Sequence, residues 1–151
     1  MGSSTSRILM VCTGNICRSP TMEGVWRATA ARLGWRGEVD SAGTEGWHAG
    51  EPPDSRSVAA ARARGYELGH LRARKVERDD FRRFDLILAA DLSHLRRLES
   101  MAPAEAREKV RLFLGAGELP DPYYGGPEGF EGVLDAVERR CRAWDGTAGF
   151  F

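Results

Sequence analysis

In the segment Val11-Cys12-Thr13-Gly14-Asn15-Ile16-Cys17-Arg18-Ser19-Pro20, a thiol and a guanidinium stand six positions apart with glycine and asparagine between them. Gly14 suits a tight bend, because glycine takes positive φ without steric cost, and Asn15 is among the few other residues that tolerate it. Such a bend turns its N–H groups inward. A helix N-terminus behind it adds partial positive charge, so the hollow attracts an oxyanion. Arg18 offers a planar fork of N–H donors that matches two oxygens of a tetrahedral phosphate and stays charged at any working pH. The same dipoles favour a thiolate, so Cys12 is expected to be anionic at neutral pH. Ser19 can donate to that sulfur or cap the helix, and Pro20 fits the first helical turn. The chemistry that these parts can perform is attack by sulfur on a held oxyanion.

A cysteine and an arginine at this spacing arise often by chance, and their placement gives them weight. The apolar run Ile8-Leu9-Met10-Val11 reads as a buried strand that ends at the thiol. Pro20 to about Leu33 reads as a helix with Met22, Val25, Trp26, Thr29 and Leu33 on one side, ended by Gly34. A second strand is expected over Glu38 to Ala42. After a Gly- and Pro-rich loop, Asp54 is a plausible N-cap for a helix running to Arg64 and stopped by Gly65. Later strands are expected over Asp85–Ala90 and Val110–Leu114, and helices over Leu92–Ser100 and about Pro127–Trp144. Alternating strands and helices argue an α/β fold, a four-stranded parallel sheet with helices on both faces in the flavodoxin-like manner. In such sheets ligands bind beyond the carboxyl ends of the strands, where the Cys12 loop would sit.

Length and composition bound the rest. A chain of 151 residues suits one domain, expected over residues 7–147 behind a disordered segment 1–6. Lysine plus arginine balance aspartate plus glutamate at 22 each, so nothing global calls for nucleic acid or an acidic membrane. The arginine-rich stretches Arg62-Ala63-Arg64 and Arg72-Ala73-Arg74-Lys75 are expected to be solvated faces. No run approaches the ~18 apolar residues of a membrane span, and no secretory signal is visible. Three cysteines cannot pair completely, and a working thiolate needs reducing surroundings, so a cytoplasmic location is expected. Cys12 and Cys17 could join reversibly on oxidation, whereas Cys141 is expected only to pack. No cofactor is implied and no metal-ligand cluster is apparent.

The loop motif does not stand alone. Ser41-Ala42-Gly43-Thr44 with Gly50-Glu51-Pro52-Pro53-Asp54 follows it, then His70-Leu71-Arg72-Ala73-Arg74 leading to Asp80-Phe81 and Phe84-Asp85, then Asp121-Pro122-Tyr123-Tyr124-Gly125. In this order the segments resemble the low-molecular-weight protein tyrosine phosphatases over nearly the whole chain. The resemblance implies a phosphotyrosine phosphatase I-like fold, a tyrosine-phosphorylated protein as substrate, and phosphate or another oxyanion in the loop Thr13, Gly14, Asn15, Ile16, Cys17 and Ser19. It implies Cys12 as nucleophile, Arg18 as phosphate clamp and Asp121 as general acid. Asn15, Ser19, Ser41 and His70 would brace the loop, and Trp47, Tyr123 and Tyr124 would wall the substrate pocket. Taken alone, Asp121 before Pro122 reads equally as a turn residue, and His70 as a surface histidine. The chain departs from the family pattern at Met22, at Thr13, where the family is commonly apolar, and at Ala90-Asp91-Leu92-Ser93-His94, where it has Met-Asp-x-x-Asn.

Three other functions compete. A protein arginine phosphatase has a similar loop, but the family carries threonine at the place of Ile16 and a less aromatic acid loop than Tyr123-Tyr124. A thiol-coupled arsenate reductase needs further cysteines, and none stands between Cys17 and Cys141. A phosphotyrosine-binding module would need neither nucleophile nor acid, and both are present.

Overall fold

The apolar run before the thiol forms β1 (Arg7–Cys12), buried from Ile8 onward, and it lies inside the sheet. The structure, a computed structural model, describes residues 6–144. The expected disorder of residues 1–6 and the end of the expected domain, beyond residue 144, therefore fall outside the described residues, Ser6 excepted. β1 pairs in parallel with β2 (Glu38–Gly43) on one side and β3 (Leu86–Ala89) on the other, and β4 (Val110–Leu112) pairs with β3. The order β2-β1-β3-β4 reverses direction at β1, which creates a crevice beyond its carboxyl end.

Alternation along β1 separates two apolar layers. Ile8, Met10 and Cys12 face a core completed by Met22, Val25 and Trp26 of α1 (Arg18–Arg32) and by Val133, Leu134 and Val137 of α5 (Pro127–Ala143). Leu9 and Val11 face the opposite layer, with Phe81 of α3 (Asp80–Arg83) and Leu98 of α4 (Leu92–Met101). This single domain is thus a parallel sheet covered on both faces, as the alternation of apolar runs predicts.

Local punctuation works as expected. Asp54 caps α2 (Ser55–Arg62) by accepting from the Arg56 amide at 2.9 Å, and Gly34 and Gly65 adopt φ of 74° and 91° just past their helices. Leu33 does not join the buried stripe; it is 59% exposed because the chain turns there. Trp35 folds back instead, edge-on to Trp26 at 5.5 Å, while Trp144 lies 4.2 Å from Trp26 on its other side. The third and fourth strands are shorter than the apolar runs that mark them. Sequence periodicity also misses α3 and a 3₁₀ segment over Ala104–Lys109, both too short to show a helical repeat.

Neither arginine-rich stretch is simply solvated. Arg64 ties α2 to α5 through Glu131 at 2.5 Å, Glu138 at 2.7 Å and Asp135 at 3.0 Å. Arg74 bridges Asp40 at 3.2 Å and buried Asp80 at 3.0 Å, fixing the segment that runs beside the end of β2.

At that end Gly43 is enclosed by backbone. A Cβ there would lie 2.5 Å from the Thr13 carbonyl oxygen and 2.9 Å from that of Glu45. Gly43→Ala is expected to lower stability by about 1–3 kcal/mol through overpacking, read as an unchanged m-value with a lower midpoint in denaturant unfolding.

Candidate active site

β1 delivers Cys12 to the mouth of the crevice, where the sulfur is nearly covered, and the chain bends through Thr13–Cys17 before α1 begins at Arg18. Thr44 and Glu45 amides donate to the carbonyls of Cys12 and Thr13 at 2.9 and 3.0 Å, so the edge of β2 holds the start of the bend. Asp54 donates to the Ile16 carbonyl at 2.8 Å from the far side. Among the described residues, the N–H groups of Gly14 to Cys17 have no acceptor, which leaves a string of donors behind the sulfur. With the N-terminus of α1 they place partial positive charge at the floor of the crevice.

Asn15 takes the strained step, at φ 60°, the single non-glycine residue at positive φ among the described residues. Gly14 does not take positive φ, contrary to expectation. It is small for another reason: a Cβ would sit 2.9 Å from Cδ2 of His48. Three side-chain hydrogen bonds hold Asn15. Its Nδ2 donates to Ser19 Oγ at 2.8 Å and Ser41 Oγ at 3.0 Å, and its Oδ1 accepts the Arg74 amide at 3.0 Å. The Ser41 hydroxyl donates to Glu23 Oε1 at 2.7 Å, and burial pushes that carboxyl's pKa upward. The bracing network expected at Asn15, Ser19 and Ser41 is therefore present, but His70 is outside it. His70 is exposed, and Glu23 and the Arg74 amide provide the remaining contacts.

Ser19 Oγ lies 3.0 Å from Cys12 Sγ. Because this oxygen accepts from Asn15, its one hydrogen has two neighbours to turn to, the sulfur at 3.0 Å and the Ala42 carbonyl at 3.5 Å, and the sulfur is the nearer. Burial pushes the Cys17 thiol up to about 12, so it stays protonated at neutral pH.

Arg18 is 4% exposed and anchored by groups that follow β3 and β4. Its Nη1 donates to Asp91 Oδ2 at 2.8 Å and to the Leu119 carbonyl at 2.9 Å, while Nη2 lies 3.8 Å from Asp121 Oδ2. The guanidinium is thereby fixed where it borders the same cleft as the loop. Asp91, whose part was left open by sequence, is the N-cap of α4 and orients this guanidinium. Its neighbour His94 closes a capping box and reaches Thr13 Oγ1 at 2.6 Å.

The cleft above the sulfur has a volume of about 190 Å³ and is bordered by Trp47, His48, Asp121, Tyr123 and Tyr124. Asp121 is half exposed, and its Oδ1 accepts the Tyr123 amide at 3.1 Å, which fixes the turn. Tyr123 packs edge-on against Tyr124 at 4.9 Å. Arg56, paired with Asp54, lies 5.3 Å over the Tyr123 ring and 4.7 Å over Phe130. Sequence reasoning passed over His48 and Arg56. The contact of His48 with Gly14 and the stacking of Arg56 depend on the tertiary fold.

The comparisons with known proteins agree with this geometry. The profile of the family described as low molecular weight phosphotyrosine protein phosphatase matches residues 7–148. A low molecular weight protein-tyrosine-phosphatase of Streptomyces coelicolor is 49% identical, with 89% of this chain and 88% of that protein covered. The human low molecular weight phosphotyrosine protein phosphatase is 38% identical over 93% of this chain and 94% of its own. Among solved structures, Vibrio vulnificus Wzb in complex with benzylphosphonate superposes with a TM-score of 0.84 at 31% identity, covering 93% of this chain and 97% of that one. On this match of sequence, fold and crevice, the chain belongs to the low molecular weight phosphotyrosine protein phosphatase family and is a protein tyrosine phosphatase.

Proposed function

We propose that Cys12, Arg18 and Asp121 carry out the phosphatase reaction as nucleophile, clamp and general acid. The observation that carries this assignment is the alignment of the three across one crevice, with Ser19 3.0 Å from the sulfur and Arg18 3.8 Å from Asp121. Arg18 and the loop amides hold the phosphoryl oxygens. The Cys12 thiolate forms a bond to phosphorus as the bond to the tyrosyl oxygen breaks, and protonated Asp121 gives its proton to the leaving phenolate. Asp121, now ionised, takes a proton from water as that water attacks phosphorus. The sulfur–phosphorus bond breaks, inorganic phosphate leaves and the thiolate returns. Fixed donors aimed at the phosphoryl oxygens do the electrostatic work.

The ligand class is a phosphate ester on a flat ring, displayed on a tyrosine-phosphorylated protein. Tyr123 and Trp47 border the cleft as aromatic walls, and the benzylphosphonate bound to the Vibrio vulnificus relative supports an aryl ligand here. The free thiols of Cys12, Cys17 and Cys141 support a reducing, cytoplasmic setting. Among the described residues no helix is long and apolar enough to cross a membrane. Cys12 and Cys17 border the same cleft, an arrangement that supports a disulfide formed when a Cys12 sulfenic acid meets the Cys17 thiol and releases water.

Cys12→Ser is expected to lower kcat for para-nitrophenyl phosphate by at least about 10³-fold while competitive binding of phosphate, followed by calorimetry, persists. Asp121→Asn is expected to slow phenyl phosphate by about 10²–10³-fold and para-nitrophenyl phosphate much less, because nitrophenolate leaves without a proton. An equal loss on both substrates would remove Asp121 as the acid. Phosphotyrosine peptides are expected to be hydrolysed far faster than phosphoarginine peptides. Brief peroxide treatment is expected to inactivate the enzyme in a way that dithiothreitol reverses, and Cys17→Ser to make the loss permanent.

A further inference from the structure

Thr13 of the loop and His94 of α4 touch each other: Thr13 Oγ1 and His94 Nε2 are 2.6 Å apart. We propose that the Thr13 hydroxyl is an additional side-chain donor to the bound phosphate, its proton turned into the cleft by His94. The proposal rests on the phosphate-loop assignment above and adds a donor that the loop amides and Arg18 do not provide.

The direction of the proton follows from the far side of the imidazole. His94 is buried at the third position of α4, and the Asp91 backbone N–H points at its Nδ1 from 3.3 Å. An amide always carries its hydrogen, so Nδ1 must present a lone pair to it. Asp91 Oδ1 also lies 3.1 Å from Nδ1, but it already accepts from the Ser93 hydroxyl at 2.6 Å and the His94 amide at 3.1 Å. The charged groups around the ring are Asp91, Arg18, Asp121 and Glu118. Burial outweighs the three carboxylates and pushes the imidazole down to about 4, so it is neutral in the working range. A neutral ring with its lone pair on Nδ1 carries its hydrogen on Nε2.

That hydrogen is donated to Thr13 Oγ1. A hydroxyl that accepts keeps its own proton for another partner, and among the described residues the Thr13 hydroxyl has no second one. Thr13 borders the cleft together with Cys12 and Arg18, so the available acceptor is a phosphoryl oxygen of the ligand. Backbone strapping at the Thr13 carbonyl keeps the side chain in register with the ring. An apolar residue at this position would leave the His94 donor buried and unpaired. Thr13 is thus a binding residue, and His94 a positioning residue that acts through it.

The test uses inorganic phosphate as the probe. Inhibition constants against para-nitrophenyl phosphate are measured for the wild type, Thr13→Val and Thr13→Ser, and the ¹⁵N shifts of the wild-type His94 ring are recorded with and without phosphate. Thr13→Val is expected to raise the phosphate inhibition constant about three- to tenfold, and Thr13→Ser to restore most of the affinity. The ring is expected to show hydrogen on Nε2 and a lone pair on Nδ1. An unchanged inhibition constant in Thr13→Val, or hydrogen on Nδ1, would overturn the proposal while leaving the phosphate site standing. Absence of competitive inhibition in the wild type would overturn the phosphate site itself, and this role with it.

Discussion

The anion hollow depends on one residue held in a conformation that its type rarely adopts. Asn15 stands at φ 60°, and a bend of this hand turns successive N–H groups toward one point. Its side-chain hydrogen bonds to Ser19, Ser41 and the Arg74 amide draw on α1, β2 and the strap beside β2. Asparagine suits this position because its amide both donates and accepts, so one short side chain spends its capacity on holding its own backbone. Charge then compounds the constraint. Ser19 accepts from Asn15 and lies 3.0 Å from the sulfur of Cys12, so the group that holds the bend also touches the sulfur.

Arg18 shows a second use of the same economy. It follows the bend directly, yet its direction is set by the ends of the sheet on the other side of β1, through Asp91 after β3 and the Leu119 carbonyl after β4. A guanidinium anchored in this way loses little freedom when an oxyanion arrives, which favours binding and transition-state stabilisation together. The parallel sheet therefore does more than bury apolar surface. Its switch point gathers the C-terminal ends of separate strands around one loop, and each end contributes a contact that no single segment could supply.

Much of this was legible in the sequence, and the parts that were not share a cause. Asp54, Gly34 and Gly65 mark helix ends through local chemistry, and each acts within a turn of its own position. The spacing of Cys12 and Arg18 is also local, so the loop could be read from its residues. Asp91 is different: it lies 73 positions from the guanidinium it orients. Glu23 looks like an ordinary helical glutamate until Ser41 is placed against it. His70 shows the opposite error, since lying near the right segment does not fix where a side chain points, and it faces solvent while the backbone of Arg74 makes the contact. Leu33 fails for a similar reason, because the helical repeat that predicts its burial ends one residue before it.

The tryptophans divide the molecule into two optical compartments. Trp26, Trp35 and Trp144 form a contiguous cluster in the apolar layer that α1 and α5 cover, whereas Trp47 is 71% exposed at the rim of the crevice. Indoles shielded from water emit at shorter wavelength than a hydrated one, so the blue part of the intrinsic fluorescence belongs to the scaffold and the red edge to the substrate doorway. Guest entry and loss of tertiary order therefore write separate spectral signatures in the same unlabelled chain.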